Sequence, residues 1–452
     1  MDHWTPYQPN DDAPWNVQRI VHLHRRAAFA ATWSEVQRDL EEGPASAIER
    51  LLDGHRRLEP ADDFSRMAES IGNAAMASNS PIRLRAWWFY RMVKSPDPLG
   101  ERLTLLWHNH FATSNRKVNN LIWMREQNEI FRAGCHRSFG ELLSSVLKHP
   151  AMLTWLDADA NRKGHPNENM ARELLELFTL GIGNYTETDV LNSARALTGW
   201  GIKDDKFAHR DSRHDACEMT VLGKTQKMNG DDLLGLTLKH PATAKRIAWR
   251  LCDHFMGEKV CGHEAIHELA DEIAKNEFDL SHAVATILRS QLFFSAENLR
   301  SRISGPAEHT VATLRALELT TPSPSTLLLA DWSSRMGQDL FYPPNVGGWT
   351  GGRGWLGSRA VIARTNFGTA LATGKLWRSR NIDEIETDLT AMLERYSVNP
   401  SQQSRTEWLA TLLWGSVEDR AVSSVIDAAK EAKHPLARTI ELLLAQPEHM
   451  LG

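Results

Sequence analysis

The chain has 452 residues, of which 42% are apolar and 24% charged, and its formal net charge at neutral pH is −5. This composition is typical of a folded globular protein, and the slightly negative charge gives no general attraction for nucleic acid. Four cysteines without a CxxC pair are too few for a disulfide scaffold.

The start of the chain lacks the basic stretch and apolar run of a secretory signal peptide. No window approaches the uninterrupted apolar length of a transmembrane helix. The sequence as written therefore predicts a soluble, cytoplasmic protein that does not bind a membrane. If a signal segment had been removed from the natural chain, the prediction would change to an exported protein.

Helical spacing of apolar residues runs through most of the chain. Residues 1–14 are predicted to form an N-terminal arm and Trp15 to Phe29 the first helix. Two segments, residues 201–230 and 336–358, lose the helical pattern, and loops of this length in a compact fold are usually functional or disordered. The sequence therefore predicts an all-α architecture of many helices with two long irregular loops that can converge on one face.

The stretch from Pro150 to Trp200 concentrates acidic, amide and arginine side chains in two predicted helices. Asn167 or Asn169 is suited to cap the first helix, because a short side-chain oxygen accepts a hydrogen bond from a free backbone N–H. Thr186 and Asp189 have the spacing of a cap at the start of the second helix. This stretch is the strongest candidate for a functional site.

Three charged residues of the first helix, Glu168, Arg172 and Glu176, recur at every fourth position. Such a stripe usually forms a solvated salt-bridge ladder, in which each pair contributes about 0.2–0.5 kcal/mol. Glu173 lies beside it, and Asp157 precedes it in a segment that can fold back. Several carboxylates in one pocket suit general acid/base catalysis or an oxygen-rich cation site. Both interpretations stay open.

His108 and His110 lie two residues apart at the end of a predicted helix. Positions i and i+2 point to different sides of a helix, so the two rings can share a metal only if the helix ends there. The alternative is one buried, hydrogen-bonded histidine and one surface histidine.

The two irregular segments carry further candidates. His214, Asp215 and Lys224 lie in the first loop, where each is suited to join a site built from several segments. Trp349 and Trp355 lie in the second loop. They can offer an aromatic surface to a sugar or peptide, or they can anchor the loop to the helical core, which we favour.

Five segments, in order along the chain, match a known pattern: WNVQRIVHLHRRAAFAATWSEV, ERLTLLWHNHFATSNRKV, PNENMARELLELFTLGIGNYTETDVLNSARALTGW, RHDACEMTVLGKT and MGQDLFYPPNVGGWTGGRGW. Over nearly its whole length the chain resembles the bacterial family labelled DUF1800, a domain of unknown function. The resemblance implies a predominantly helical fold used as one unit, so residues 1–452 are treated as a single domain.

The resemblance also implies a set of signature positions. Where family members often have histidine, this chain has Phe178. Many members look exported and are encoded beside proteins that resemble alkaline phosphatases and sulfatases. The signature positions are Asp157, Asn167, Glu168, Arg172, Glu173, Glu176, Asp189, Arg195, His214, Asp215 and Lys224.

Our first hypothesis is an enzyme of hydrolase type that acts on a polar or anionic glycan or ester. Its site would combine the 157–176 segment, the His108/His110 segment and the 209–224 loop, with assistance from a divalent cation. The predicted catalytic residues are Glu168, Glu173, Arg172, His214 and Asp215; the predicted substrate-binding residues are Asn167, Lys224, Arg195 and Trp349; and the predicted metal ligands are His108, His110 and Asp157.

The second hypothesis is a non-catalytic helical scaffold that binds a phosphatase- or sulfatase-like partner protein. It predicts that the signature residues pair with one another in closed networks and that the Trp349 loop forms an exposed apolar patch.

Overall fold

A computed structural model describes residues 3–57, 62–321, 323–377, 389–417 and 419–452. The first two residues of the predicted arm lie outside this part of the chain. The predicted all-α class is confirmed, because α-helices dominate and the described residues form only two small sheets. No helix in the described ranges has the length and hydropathy needed to cross a lipid bilayer.

The α-helices of the first half are α1 Val17–Ala27, α2 Trp33–Leu52, α3 Asp63–Ala77, α4 Pro81–Lys94, α5 Pro98–His110, α6 Asn115–Val118, α7 Leu121–Gly134, α8 Phe139–Leu147, α9 Pro150–Trp155, α10 Asn169–Glu173 and α11 Glu187–Ala196. Those of the second half are α12 Gly230–Lys239, α13 Pro241–Phe255, α14 His263–Lys275, α15 Leu280–Arg289, α16 Pro306–Ala316, α17 Thr326–Arg335, α18 Ser358–Ala372, α19 Thr390–Arg395, α20 Gln402–Trp414, α21 Asp419–Ala429, α22 Pro435–Ala445 and α23 Pro447–Met450. Short 3₁₀ turns cover Gly54–Arg57, Ala158–Ala160, Asp211–Arg213 and Gly352–Leu356, and a π-helical turn covers Leu174–Thr179.

Local signals in the sequence fix several helix ends. Thr186 and Asp189 cap α11 reciprocally: the Thr186 hydroxyl accepts from the Asp189 N–H at 3.2 Å, and the Asp189 carboxylate accepts from the Thr186 N–H at 2.9 Å. This capping box satisfies two backbone donors that a helix start leaves free. The predicted cap is confirmed.

The first predicted irregular loop is partly wrong, because residues 201–230 contain two antiparallel hairpins. Strand β1 (Trp200–Lys203) pairs with β2 (Lys206–His209), and β3 (Glu218–Val221) pairs with β4 (Lys224–Lys227). Each strand has four residues, too few for an alternating apolar pattern to stand out. The second loop, residues 336–358, is irregular as predicted apart from its one 3₁₀ turn.

Buried apolar side chains form two large clusters that meet at α5. Leu103 and Trp107 belong to one cluster, whereas Leu105 belongs to the other. The N-terminal arm contributes Trp4 and Tyr7 to the first cluster. Helix α5 therefore lies between the two apolar cores, and a polar cavity opens beside it.

Candidate functional site

The predicted charge ladder exists on the surface, but its second acid is not the predicted one. Arg172 pairs with Glu168 at 3.0 Å, as predicted, and with Glu187 of α11 at 2.7 Å. Glu176 instead accepts a hydrogen bond from the Tyr185 hydroxyl at 2.7 Å. Arg172 is about one-third exposed and both partner acids are more exposed still. The guanidinium therefore has its carboxylate partners already.

Glu173 differs from its neighbours because it has no ion pair with a described residue. It is half-buried, and burial together with the nearby Glu176 raises the pKa of its carboxyl group. A π-helical turn follows directly, and π-helical turns often occur at functional sites. Of the predicted acid/base residues, Glu173 has the environment most suited to holding a proton.

The segment between α9 and α10 folds back, and Asn161 holds it there. The buried Asn161 side chain donates to the Ala194 carbonyl at 2.8 Å and accepts from the Asn167 N–H at 3.0 Å. Asn167 in turn accepts from the Asn169 N–H at 3.0 Å. Asp157 forms an ion pair with Lys117 at 2.7 Å. Sequence reasoning missed Asn161, since a lone asparagine in a loop carries no local signal.

The histidine loop packs against the end of α11. The His214 Nδ1 atom lies 3.0 Å from the Thr198 carbonyl oxygen, and Asp215 pairs with Arg195 at 2.8 Å. Lys224 is exposed at the start of β4. The Lys163 N–H donates to the Arg213 carbonyl at 2.8 Å. The structure thus brings the 157–169 and 198–215 segments together, and the Asp215 carboxylate is occupied by Arg195.

His108 and His110 are both buried, so the expectation of one surface histidine is wrong. The His108 Nε2 atom accepts from the Phe341 N–H at 3.1 Å, whereas the His110 Nε2 atom lies 3.2 Å from the Phe178 carbonyl oxygen. Burial lowers the pKa of His108 to about 3 and holds that of His110 well below its ordinary value. The two neutral rings therefore belong to separate networks.

Metal ligation by His108, His110 and Asp157 stays a prediction. Within the described ranges, no three His, Cys, Asp or Glu side chains are grouped so as to hold a metal ion. His108 and His110 turn away from each other because α5 continues through both of them.

A cavity of about 330 Å³ lies beside α5 and is lined by different residues from those predicted. Its walls come from Asn109 of α5, Arg250 and His254 of α13, the 301–308 segment and the second irregular loop. None of the predicted catalytic residues lines it. The cavity lies where the two apolar cores meet, a common position for ligand sites.

The deep side of the cavity carries more buried arginine than carboxylate. Arg302 contacts Glu308 at 2.5 Å and Arg102 contacts the same carboxylate at 2.7 Å. Among the described residues, Arg250 forms an ion pair only with the half-exposed Asp253, at 3.8 Å. Burial alone would raise the pKa of Glu308, but the two arginines outweigh it and hold that pKa well below the ordinary value. Two guanidinium groups thus contact one buried carboxylate, and Arg250 lines the same cavity.

Two lining side chains keep buried nitrogen atoms without a partner. Arg250 Nε and His254 Nε2 have no hydrogen-bond partner among the described residues. Burial lowers the pKa of Arg250 to about 10, so the guanidinium stays charged at neutral pH. Burial and the neighbouring arginines hold the pKa of His254 well below its ordinary value, so its ring is neutral. Unpaired buried polar groups are costly, so these two nitrogen atoms are candidates for contact with a ligand or with water.

The second irregular loop closes one side of the cavity and is anchored through Asn109. The Asn109 side chain accepts from the Trp349 N–H at 2.8 Å and donates to the Trp349 carbonyl at 3.2 Å. Trp349 is 7% exposed, with its ring centroid 5.7 Å from that of His108. The favoured role of Trp349 as an anchor matches this packing. Trp355, the other tryptophan of this loop, is partly exposed and lines the cavity.

One sequence signal for this cavity lies in the spacing of basic residues on α13. Arg246, Arg250 and His254 lie four residues apart in α13, so three basic residues share one face of a helix. Arg302 and Glu308 offered no such pattern, because their partner Arg102 is far away in sequence.

The family model of DUF1800, described as a protein of unknown function, matches residues 22–451. The chain belongs to the DUF1800 family. The match includes the predicted carboxylate cluster as well as every residue that lines the cavity, so both candidate sites lie inside the DUF1800 domain. No curated protein and no solved structure matches the chain.

Proposed function

We propose that this DUF1800 protein is an enzyme of hydrolase type that holds the anionic group of a polar ester or glycan between Arg250 and Arg302. The observation that supports the proposal is the pair of unpartnered, buried nitrogen atoms of Arg250 and His254 in a cavity of about 330 Å³. A cavity of this size accommodates a small ligand or one end of a larger one.

The less exposed charges of the cavity suit an oxyanion such as phosphate, sulfate or carboxylate. Asp253 and Glu258 also line the cavity, but both are more than half exposed, whereas Arg250 and Arg302 are 13% and 16% exposed. Guanidinium groups bind such anions through paired, charge-assisted hydrogen bonds. Arg302 is held by Glu308 and is only 16% exposed, so its position is fixed before a ligand arrives. In a buried site these groups also stabilise negative charge that develops during ester cleavage.

His254 supplies a neutral hydrogen-bonding group in the proposed site. Its Nε2 atom has no partner among the described residues and can form a hydrogen bond with the substrate or with an attacking water molecule. Arg250 lies one helical turn away on α13, so the two groups lie on the same helix face.

Glu168 and Glu173, the predicted acid/base residues, offer a second candidate site for the proposed hydrolysis. Glu173 is the stronger candidate there, since its carboxyl group has a raised pKa and no ion pair with a described residue. Arg172 already pairs with two acids, so it has less capacity for a substrate.

The alternative is a non-catalytic scaffold for a phosphatase- or sulfatase-like partner protein. That role predicts that signature residues pair with one another and that the Trp349 loop forms an exposed apolar patch. Arg195 does pair with Asp215 and Arg172 with Glu168, but Trp349 itself is 7% exposed. The polar cavity therefore supports an enzyme better than a scaffold.

The test combines calorimetric binding of inorganic phosphate and sulfate with hydrolysis of nitrophenyl phosphate, sulfate, acetate and glucuronide. We expect at least one anion to bind, and Arg250→Gln to weaken it about tenfold or more, as a charged hydrogen bond contributes about 1.5–3 kcal/mol. Arg66→Gln is the matched control, because Arg66 is 67% exposed.

Three results would count against the proposal. If Arg250→Gln has the circular dichroism of wild type and binds anions equally well, the proposed binding site is wrong. It is also wrong if the wild type binds no anion. Binding without turnover of any ester would overturn the enzymatic part alone.

A further inference from the structure

An open groove of about 510 Å³ adjoins the cavity and shares Trp355, Thr350 and Gly354 with it. The groove runs between the end of α17 and the start of α18. We propose that this groove binds a pyranose ring of the substrate, with Trp355 as the stacking surface, so that the substrate is an anionic sugar. The inference rests on the proposed function, which supplies the anion site.

Trp355 stands at the junction between cavity and groove, next to Gly305 and Gly337. A Cβ atom built on Gly305 would lie 3.7 Å from its indole nitrogen, and one built on Gly337 would lie 3.8 Å from Cζ3. The ring therefore lies beside two stretches of backbone. A ring positioned in this way loses little conformational freedom when a ligand stacks on it.

The indole of Trp355 also keeps a free hydrogen-bond donor. Its Nε1 atom has no partner among the residues that the structure describes, and the residue is half-exposed. The face of an aromatic ring carries negative charge density. It therefore attracts the C–H face of a pyranose, while Nε1–H can donate to a ring hydroxyl or to the anionic group.

The rest of the groove supplies polar groups that suit sugar hydroxyls. Asn345, Ser358 and Arg359 line it, and Arg359 makes no ion pair with a described residue. Amide and hydroxyl groups both donate and accept, as do the hydroxyls of a sugar. The groove lining includes two arginines and no carboxylate, so a negatively charged sugar is not repelled.

The experiment compares ligands that share one phosphate but differ in the ring. Glucose 6-phosphate and glycerol 3-phosphate are titrated calorimetrically into wild type, Trp355→Ala, Trp355→Phe and Arg250→Gln. Trp249→Ala is the control, because Trp249 is 38% exposed and lines neither the cavity nor the groove.

We expect wild type to bind glucose 6-phosphate about tenfold or more tightly than glycerol 3-phosphate, a difference of about 1.4 kcal/mol. Trp355→Ala should remove this preference, because it should weaken binding of glucose 6-phosphate about tenfold more than binding of glycerol 3-phosphate. Trp355→Phe should keep most of it, since it retains an aromatic face, and Trp249→Ala should keep all of it.

Failure of this inference differs from failure of the proposed function. Equal binding of the two phosphates, or a preference that survives Trp355→Ala, overturns the sugar groove while the anion site stands. Binding of both phosphates that Arg250→Gln leaves unchanged overturns the anion site instead.

Discussion

Arg302 binds Glu308 through both of its terminal nitrogens, with Nη1 2.5 Å from Oε2 and Nη2 2.9 Å from Oε1. Arg102 approaches the same carboxylate at 2.7 Å. Two guanidinium groups on one buried carboxylate leave positive charge in the protein interior, where it is weakly screened. This arrangement connects the stability of the interior with the capacity of the cavity to bind an anion.

Glu308→Gln should destabilise the protein by about 3–5 kcal/mol, because it leaves buried arginines without their carboxylate. The free energy of unfolding, measured by urea titration, checks this. Glu258→Gln serves as the control, since Glu258 is 59% exposed in its pair with Arg353, and it should change stability by less than about 1 kcal/mol. Equal stability of Glu308→Gln and wild type would show that the buried pair contributes little.

Glu101 should make the protein sensitive to acid between about pH 4.5 and 2. Burial alone would raise the pKa of Glu101, but Arg132 and Arg91 outweigh burial and lower it from 4.5 to about 2. As pH falls, the unfolded chain therefore takes up this proton before the folded protein does. The stability that Glu101 contributes is complete above pH 4.5 and is lost towards pH 2.

The check for Glu101 is a pH series of urea unfolding for wild type and Glu101→Gln. The difference in stability between them should be largest above about pH 4.5 and should shrink towards pH 2. Glu129→Gln is a suitable control, because Glu129 is 42% exposed in its pair with the same Arg132. A wild-type advantage that stays constant over this range would contradict the lowered pKa.

Gly348→Ala should displace the loop that carries Trp349. Gly348 has φ +76°, and a Cβ atom there would lie 2.2 Å from the Asn109 side-chain oxygen and 2.6 Å from its backbone oxygen. We expect a loss of about 1–3 kcal/mol in stability and weaker anion binding, because Asn109 lines the cavity. Thermal unfolding and calorimetry check both effects. Gly357→Ala is the control, since its Cβ atom would meet nothing within 4 Å. If the two variants have equal stability and equal anion affinity, the Trp349 loop accommodates the added methyl group and the prediction is wrong.

Glu173→Gln should make the protein more stable at neutral pH. Burial and Glu176 raise the pKa of Glu173, so the folded protein holds this proton more tightly than the unfolded chain does. The free energy of unfolding therefore falls as pH rises from the ordinary glutamate pKa to the raised pKa of Glu173. Glutamine has no proton to lose, so the Glu173→Gln variant avoids this decrease. The gain should vanish in acid, where wild type is protonated, as urea unfolding at several pH values will show. Lost ester hydrolysis in a stabilised variant would assign Glu173 a catalytic role, whereas lower stability at neutral pH would contradict the raised pKa.

Most helices were predictable because their signals lie within one or two turns. The apolar spacing that predicted a first helix from Trp15 to Phe29 placed α1, Val17–Ala27, to within two residues at each end. The hairpins were missed for the opposite reason, since four-residue strands hold too little alternation. Local pattern also predicted the Glu168–Arg172 pair but not Glu187, which reaches Arg172 only through the packing of α11 on α10.

The sequence by itself determined the helical class, the Thr186–Asp189 cap of α11 and the DUF1800 membership, because these depend on short-range periodicity and on segments in a set order. The predicted asparagine cap of α10 is wrong, since Glu168 occupies that position without a side-chain hydrogen bond that caps the helix. Only the tertiary structure decided which charged residues are buried together. Arg102, Arg250 and Glu308 are far apart in the chain and meet where two apolar cores join beside α5. The cost of a buried charge depends on what surrounds it in space, and no local pattern records that. The sequence predicted a site at the exposed ladder of Arg172, whereas the structure favours the cavity at Arg250 and Arg302.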